Sequence, residues 1–359
     1  MKHQLDFEKP IIELQRKLEE LKRHPESHSI GISYEEEITA IQAKIVEMRR
    51  QLFAGLGAWD RVKIARHPKR PFMLDYIALA FSDFSELHGD RAYADDRALI
   101  GGLAQLGEHK VVVIGTQKGR DTKENIRRNF GSAMPEGYRK ALRLMQLAEK
   151  FRLPIISLID TPGAYPGIGA EERHVGEAIA VNLREMMTLD TPIVAAVIGE
   201  GGSGGALGIG VADVVLMLEN SYYSVITPEG CAAILWKERA AVAKAAEALK
   251  ISAKELLTLG LIDEIVPESA GGAHNDAAET AGNLKSALLR HLEELKKVPN
   301  SDRLKMRYAK FRAYGQFTEK KEPPVATVLP ATPLPPLPPL PVAPLPVAPP
   351  SNSDSAVQI

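Results

Sequence analysis

Near the start of the chain, apolar residues recur at helical spacing: Ile11, Leu14, Leu18 and Leu21, then Ile38, Ile41, Ile45, Met48 and Leu52. Charged residues fill the positions between them, so each run predicts an amphipathic helix with one apolar stripe. Pro25 and the stretch from Ser27 to Ser33 separate the two runs. The pattern predicts a helical hairpin over residues 1–60, packed on its own domain or docked on a partner subunit.

The texture changes over residues 61–295, where short continuous apolar runs take over: VVVIGTQ (111–117), PIISLID (154–160), PIVAAVI (192–198) and DVVLML (213–218). Runs of this length, rich in Val and Ile, predict strands buried on both faces. Helical patterns lie between the first three, from Tyr138 to Phe151 and from Glu171 to Leu189. Repeated strand–loop–helix units define an α/β architecture. Periodicity leaves open whether the sheet is of the open Rossmann type or a spiral of repeated turns. Residues 296–318 read as a C-terminal helix, and 319–359 as a tail built on LPPLPPLPVAPLPVAPP. Proline at that density removes ladder donors and blocks helices, which predicts a disordered, extended tail.

Composition narrows the class. The 359 residues carry 45 Lys and Arg against 46 Asp and Glu, a net charge of −1, so no global field draws the chain to nucleic acid or membrane. The lone cysteine, Cys231, excludes an intrachain disulfide framework and a multi-cysteine zinc site, and reads as a packed small residue. The N-terminus is charged throughout and lacks the apolar core of a signal peptide. No apolar run approaches the length of about 18 residues that a membrane span needs. These features predict a cytoplasmic protein.

The candidate chemistry sits in two glycine-rich segments that follow predicted strands. The first, GEGGSGGALGIG (199–210), fits three patterns. Gly199, Gly201 and Gly204 match a dinucleotide fingerprint, with Glu219 near the place of a ribose-binding acid. Gly201, Ser203 and Gly205 match a hydrolase elbow, with Asp263 and His274 following in triad order. The third reading needs only backbone: glycines let an oxyanion approach peptide N–H groups, helped by a helix starting at Ala206 or Leu207. The second segment, IDTPGAYPGIGAEERHVGEAIA (159–180), occupies the equivalent place one strand earlier. Two such loops on adjacent strand ends predict one shared cleft. Asp160, Glu171, Glu172 and His174 are the candidates there for a metal and read more simply as capping groups. The basic stretch from Lys118 to Arg128 holds five cations and reads as a solvated loop, a subunit contact or a clamp for anionic groups.

Long blocks of the sequence resemble a known family: RPFMLDYI, GDRAYADDRALIGGLA, GTQKGRDTKENIRRNFG, PEGYRKALRLMQLAEKF, IDTPGAYPGIGAEER, IGEGGSGGALGIG and YYSVITPEGCAAILWK. They are similar to the α subunit of the bacterial acetyl-coenzyme A carboxylase carboxyltransferase, from LDFEKPI near the N-terminus to about Gly315, and leave out only the tail. The resemblance implies a crotonase-type spiral of repeated ββα units for residues 61–295. It implies transfer of a carboxyl group from carboxybiotin on a carrier protein to acetyl-CoA, yielding malonyl-CoA for fatty acid synthesis. Implied partners are a zinc-bearing β subunit in an α2β2 core, the biotin carboxyl carrier protein and biotin carboxylase, with no metal in this chain. Carried over by residue, the donors for the biotin oxyanion fall on Gly201 and Gly202. Gly204, Gly205, Gly163 and Ala164 would line the cleft. Other classes consistent with such a fold are a stand-alone crotonase-like hydratase or hydrolase and a non-catalytic scaffold.

Overall fold

The computed structural model describes residues 5–23, 34–315 and 317. The Pro-rich tail and residues 24–33, which join the two predicted N-terminal helices, lie outside the described residues. The two apolar runs form α1 (Lys9–Arg23) and α2 (Tyr34–Ala54). The Tyr34 hydroxyl donates to the Leu21 carbonyl at 3.1 Å, and the Phe7 ring meets Phe53 edge-on at 5.8 Å. Two short helices follow, α3 (Ala58–Ala65) and α4 (Met73–Ala80).

The sheet begins with an antiparallel meander, β1 (Ser82–Glu86), β2 (Leu99–Leu106) and β3 (His109–Thr116). After α5 (Thr122–Arg127) and α6 (Pro135–Phe151), β4 (Ile155–Thr161) pairs parallel to β3. Then α7 (Ile168–Glu171) and α8 (Val175–Thr188) lead to β5 (Ile193–Gly202), parallel to β4. The helix expected from Glu171 to Leu189 is thus two, broken at His174, whose φ of +62° takes it out of the right-handed helix.

Next come α9 (Ser203–Leu207), β6 (Val214–Leu218) and β7 (Tyr222–Ser224). They are followed by α10 (Pro228–Leu235), α11 (Val242–Leu249), α12 (Ala253–Thr258) and β8 (Glu264–Val266). Two helices close the described chain, α13 (Ala277–Lys297) and α14 (Asn300–Arg312).

The strand order is β1-β2-β3-β4-β5-β6-β8, with β7 added to the far end of β5. It rises without reversal, so the sheet lacks the switch point of a doubly wound Rossmann fold. The core shows the same. One face of the sheet (Val112, Ile114, Ile155, Val197, Met217) packs on Tyr138, Leu144 and Met145 of α6 and on Ala178 and Met186 of α8. Both crossover helices therefore lie on one side, as right-handed connections between successive strands require. The opposite face (Val113, Ile156, Val194, Ile198, Leu216) packs on Met73 and Ile77 of α4 and on Leu284 and Leu288 of α13. Burial on both faces explains the continuous apolar runs. At roughly 1.5–3 kcal/mol per large apolar side chain, these two layers dominate the stability of the fold.

Helix α14 is held by a buried arginine. Arg307 pairs bidentately with Asp213 (2.8 Å to each oxygen) and donates to the carbonyls of Met186, Leu189 and Thr191. Asp213 in turn accepts from the Ile193 N–H at 2.8 Å, fixing where β5 begins.

Candidate active site

Both glycine segments sit at the C-terminal ends of adjacent parallel strands, where the dipoles and open backbone of α/β folds face ligands. The Ile159–Gly202 region packs them main chain against main chain. A Cβ on Gly202 would stand 2.2 Å from the Pro162 oxygen and 2.4 Å from the Pro162 carbonyl carbon. A Cβ on Gly205 would stand 2.4 Å from both the Ala164 nitrogen and the Gly163 carbonyl carbon. These two glycines are compulsory because another backbone fills the space. Gly204 is different: its nearest neighbour would be Ile179 at 3.7 Å, an ordinary contact. Gly163 itself has φ of +152°, and its N–H donates to the Thr161 hydroxyl at 3.1 Å in a tight turn.

Helix α9 starts at Ser203, directly after Gly202, three residues before the start expected at Ala206. The correction has a local cause. Ser203 takes φ of +54° and turns the chain at once from strand to helix, so the glycines after it are helical rather than loop. Surrounding polar groups lock this turn: Tyr138 Oη donates to the Gly205 carbonyl (3.3 Å), Asn182 Nδ2 to the Gly208 carbonyl (2.9 Å) and Ser157 Oγ to the Ile209 carbonyl (2.6 Å). Beside Ser203 opens an apolar cleft of about 280 Å³, walled by Leu207, Tyr223, Val225, Leu261 and Phe311.

Beneath the loops lies a buried charge network that the sequence did not reveal. Lys118 Nζ sits 2.6 Å from Asp160 Oδ1 and 2.6 Å from Glu200 Oε1. Asp160 Oδ1 also accepts the Glu200 N–H at 2.9 Å, while its Oδ2 is buried without a hydrogen-bond partner among the described residues. The other Glu200 oxygen accepts from Arg66 Nε (2.6 Å) and the Tyr222 hydroxyl (2.5 Å). Burial alone would raise the Glu200 pKa, but Lys118 and Arg66 outweigh it and hold the carboxyl at about 2. Burial likewise opposes the charge on Lys118, yet Asp160 and Glu200 keep its pKa above the usual lysine value. Asp160 is therefore a buried ion-pair member rather than a helix cap. Gly199 is glycine for its sake: a Cβ there would stand 2.4 Å from Asp160 Oδ1.

The remaining sequence candidates separate. His274 stacks on His67 (centroids 4.0 Å apart) and lies 3.9 Å from Glu8. Asp263 accepts from Lys310 and from the Val215 N–H. The elbow's acid is thus engaged with Lys310 and Val215, and its histidine with His67 and Glu8, away from Ser203. The basic stretch is divided too. Lys118 is in the network, Arg120 pairs with Asp75 and lies 4.0 Å over the Phe72 ring, and Arg128 pairs with Glu124, while Lys123 and Arg127 are exposed. Cys231 is buried in a small apolar cluster with Ala232 and Ala245. Among the described residues, no group of three His, Cys, Asp or Glu could hold a metal ion, and no helix is long and apolar enough to cross a membrane.

An α/β sheet wound in one direction thus carries interlocked glycine loops at its central strand ends. The family model described as "Acetyl co-enzyme A carboxylase carboxyltransferase-like" matches residues 4–315, and the chain belongs to that family. Among named relatives, the acetyl-coenzyme A carboxylase carboxyl transferase subunit alpha of Methylococcus capsulatus is 59% identical over 315 residues, covering 88% of this chain and 98% of the relative. The subunit of the same name from Gloeobacter violaceus is 54% identical over 315 residues, covering 88% and 96%. Among solved structures, a chain of a Pseudomonas malonate decarboxylase hetero-tetramer in complex with coenzyme A shares the fold, with a TM-score of 0.50 at 16% identity, covering 61% of this chain and 89% of that one.

Proposed function

We propose that this chain is the α half of a carboxyltransferase site. In this reading it moves a carboxyl group from carboxybiotin, carried on a separate protein, to acetyl-CoA, giving malonyl-CoA, and it works only together with a β subunit. The observation that carries the reading is the family match over residues 4–315, and the close backbone packing of Gly202 and Gly205 against residues 162–164 supports these loops as the site.

The carried carboxybiotin supplies the carboxyl group and, once that group has left, a basic ureido site that accepts a proton from the acetyl methyl. The task of this chain is to stabilise the negative charge on the ureido oxygen. Gly201 and Gly202 would aim peptide N–H groups at it, held by the strand on one side and by α9 on the other. Gly163, Ala164, Gly204 and Gly205 complete the wall, and the apolar cleft beside Ser203 keeps that side of the site dry, where such donors act most strongly. The β subunit would hold the thioester and a structural zinc. A spiral of repeated ββα units, an α2β2 core and a cytoplasmic setting belong to the same proposal.

The test is Gly202→Val, co-purified with the β subunit and assayed for malonyl-CoA from carboxybiotin and acetyl-CoA. The complex should assemble and turnover should vanish. Near-normal turnover would overturn the assignment.

A further inference from the structure

Three charged groups lie buried or nearly so beneath the glycine loops, Lys118, Asp160 and Glu200, with half-buried Arg66 at their edge. Stability alone is a poor reason for them, because apolar residues of similar size commonly replace buried ion pairs at no loss. Their placement suggests a reason. Lys118 follows the end of β3, Asp160 is the penultimate residue of β4 and Glu200 lies in the last three residues of β5. One ammonium therefore bridges three consecutive strand ends, at 2.6 Å to each carboxylate. Asp160 stands three residues before Gly163, and Glu200 stands directly before Gly201 and Gly202.

The register supplies a second observation. Ile159 pairs with Val197, but Thr161 pairs with Gly201, so β5 uses four residues where β4 uses two. The extra length bulges outward over Asp160, whose Oδ1 takes the Glu200 N–H and occupies the space a Cβ on Gly199 would need. Gly201 and Gly202 re-enter the ladder against Thr161 of β4 and against Tyr223 and Ser224 of β7, so Asp160 anchors the irregular Gly199–Glu200 segment that leads into them. Each carboxylate faces a cation, Asp160 and Glu200 at Lys118 and Glu200 and Glu229 at Arg66, so the network's effect on the loops is chiefly geometric.

We infer that Lys118 is a positioning residue of the transfer site, tying the ends of β3, β4 and β5 so that the two glycine loops keep the spacing the oxyanion donors need. This rests on the reading of those loops as the site. A displacement of about 1 Å in a preorganised site costs on the order of 100-fold in rate. Lys118→Met keeps length and removes the charge.

In the reconstituted α–β complex, Lys118→Met should lower kcat by roughly 10- to 100-fold. The KM values for acetyl-CoA and for the biotinylated carrier should stay within about threefold, since a positioning role acts on the loops and not through contact with either substrate. Leu288→Ala, in the α13 layer on the opposite face of the sheet and near the start of β3, serves as the control for mere destabilisation. Gly202→Ala, run in parallel, tests the underlying reading. A kcat for Lys118→Met no lower than that of the Leu288→Ala control overturns the positioning role, and so does a rise in KM at constant kcat. Full activity in Gly202→Ala would instead remove the site assignment itself, so the two failures are distinguishable.

Discussion

The sharpest prediction compares three alanines within four residues. Gly202, Gly204 and Gly205 all sit at the strand-to-helix turn, and by sequence they are interchangeable. The structure makes them unequal. A methyl on Gly202 would sit 2.2 Å from the Pro162 oxygen, where an unstrained contact needs about 3.4 Å, so one backbone must retreat by roughly 1.2 Å. The same holds for Gly205, at 2.4 Å from Ala164 and Gly163. Overpacking of this kind costs about 1–3 kcal/mol in stability. The larger loss is in rate, because the retreat moves the donors: one misaligned oxyanion donor costs about 10²–10³ in kcat. Gly204→Ala meets only Ile179 at 3.7 Å, has a helical φ and keeps its N–H. A glycine replaced inside a helix gains about 0.5–1 kcal/mol, so this variant should be slightly more stable and fully active. The assay is malonyl-CoA formation by each α variant co-purified with the β subunit, alongside thermal melts of the same complexes. Equal activity across the three alanines, or a Gly202→Ala variant within about threefold of wild type, would refute the close-packing argument.

Three further outcomes follow from other parts of the molecule. Ser203→Gly removes the hydroxyl and suits the positive φ, so turnover should persist within severalfold; a loss of 10³ or more would restore Ser203 as a nucleophile. Glu200 has a folded pKa of about 2, below its ordinary 4.5, so its contribution to stability is complete above 4.5 and is lost as pH falls towards 2. Urea melts from pH 3 to 7 should therefore show a shallower acid-side slope in Glu200→Gln, and an unchanged slope would contradict the pairing. Arg307→Met strands Asp213 beside the start of β5 and should cost on the order of 3–5 kcal/mol, read as a fall in melting temperature of several degrees.

Much of the fold was legible because its central strands are buried on both faces. VVVIG, PIISLI and PIVAAVI leave no polar alternation to confuse the assignment, and their spacing left room for α6 and α8. The direction of winding was not legible, since it depends on which face the crossover helices cover. The glycine segments were legible as neighbouring strand-end segments but not in their internal order. In GGSGG the one residue of capping type, Ser203, is not the N-cap but the first helical residue after Gly202, in a left-handed turn unusual for serine, so α9 was expected too late. Sequence likewise cannot say that Gly202 is forced while Gly204 is free; that depends on Pro162, forty residues away in the chain. The charge network was hidden for the same reason. Lys118 lies 42 residues from Asp160 and 82 from Glu200, and each alone resembles an ordinary charge at the end of a strand. The one local clue was Gly199, a glycine inside an otherwise regular strand, which often marks a bulge or a close approach.

The interlocking of the two loops also bears on how the site could resist an inhibitor. A small molecule anchored on the peptide groups at Gly201 and Gly202 would contact atoms that every amino acid shares. Escape would need a side chain at a neighbouring glycine to block it, yet Gly199, Gly202 and Gly205 each lack room for even a methyl group. Substitutions that exclude the compound would disturb the proposed oxyanion donors as well. Resistance would have to arise from the rim, at Leu207, Val225 or Phe311, or from the partner subunit, so compounds that make few contacts there should hold their potency longest.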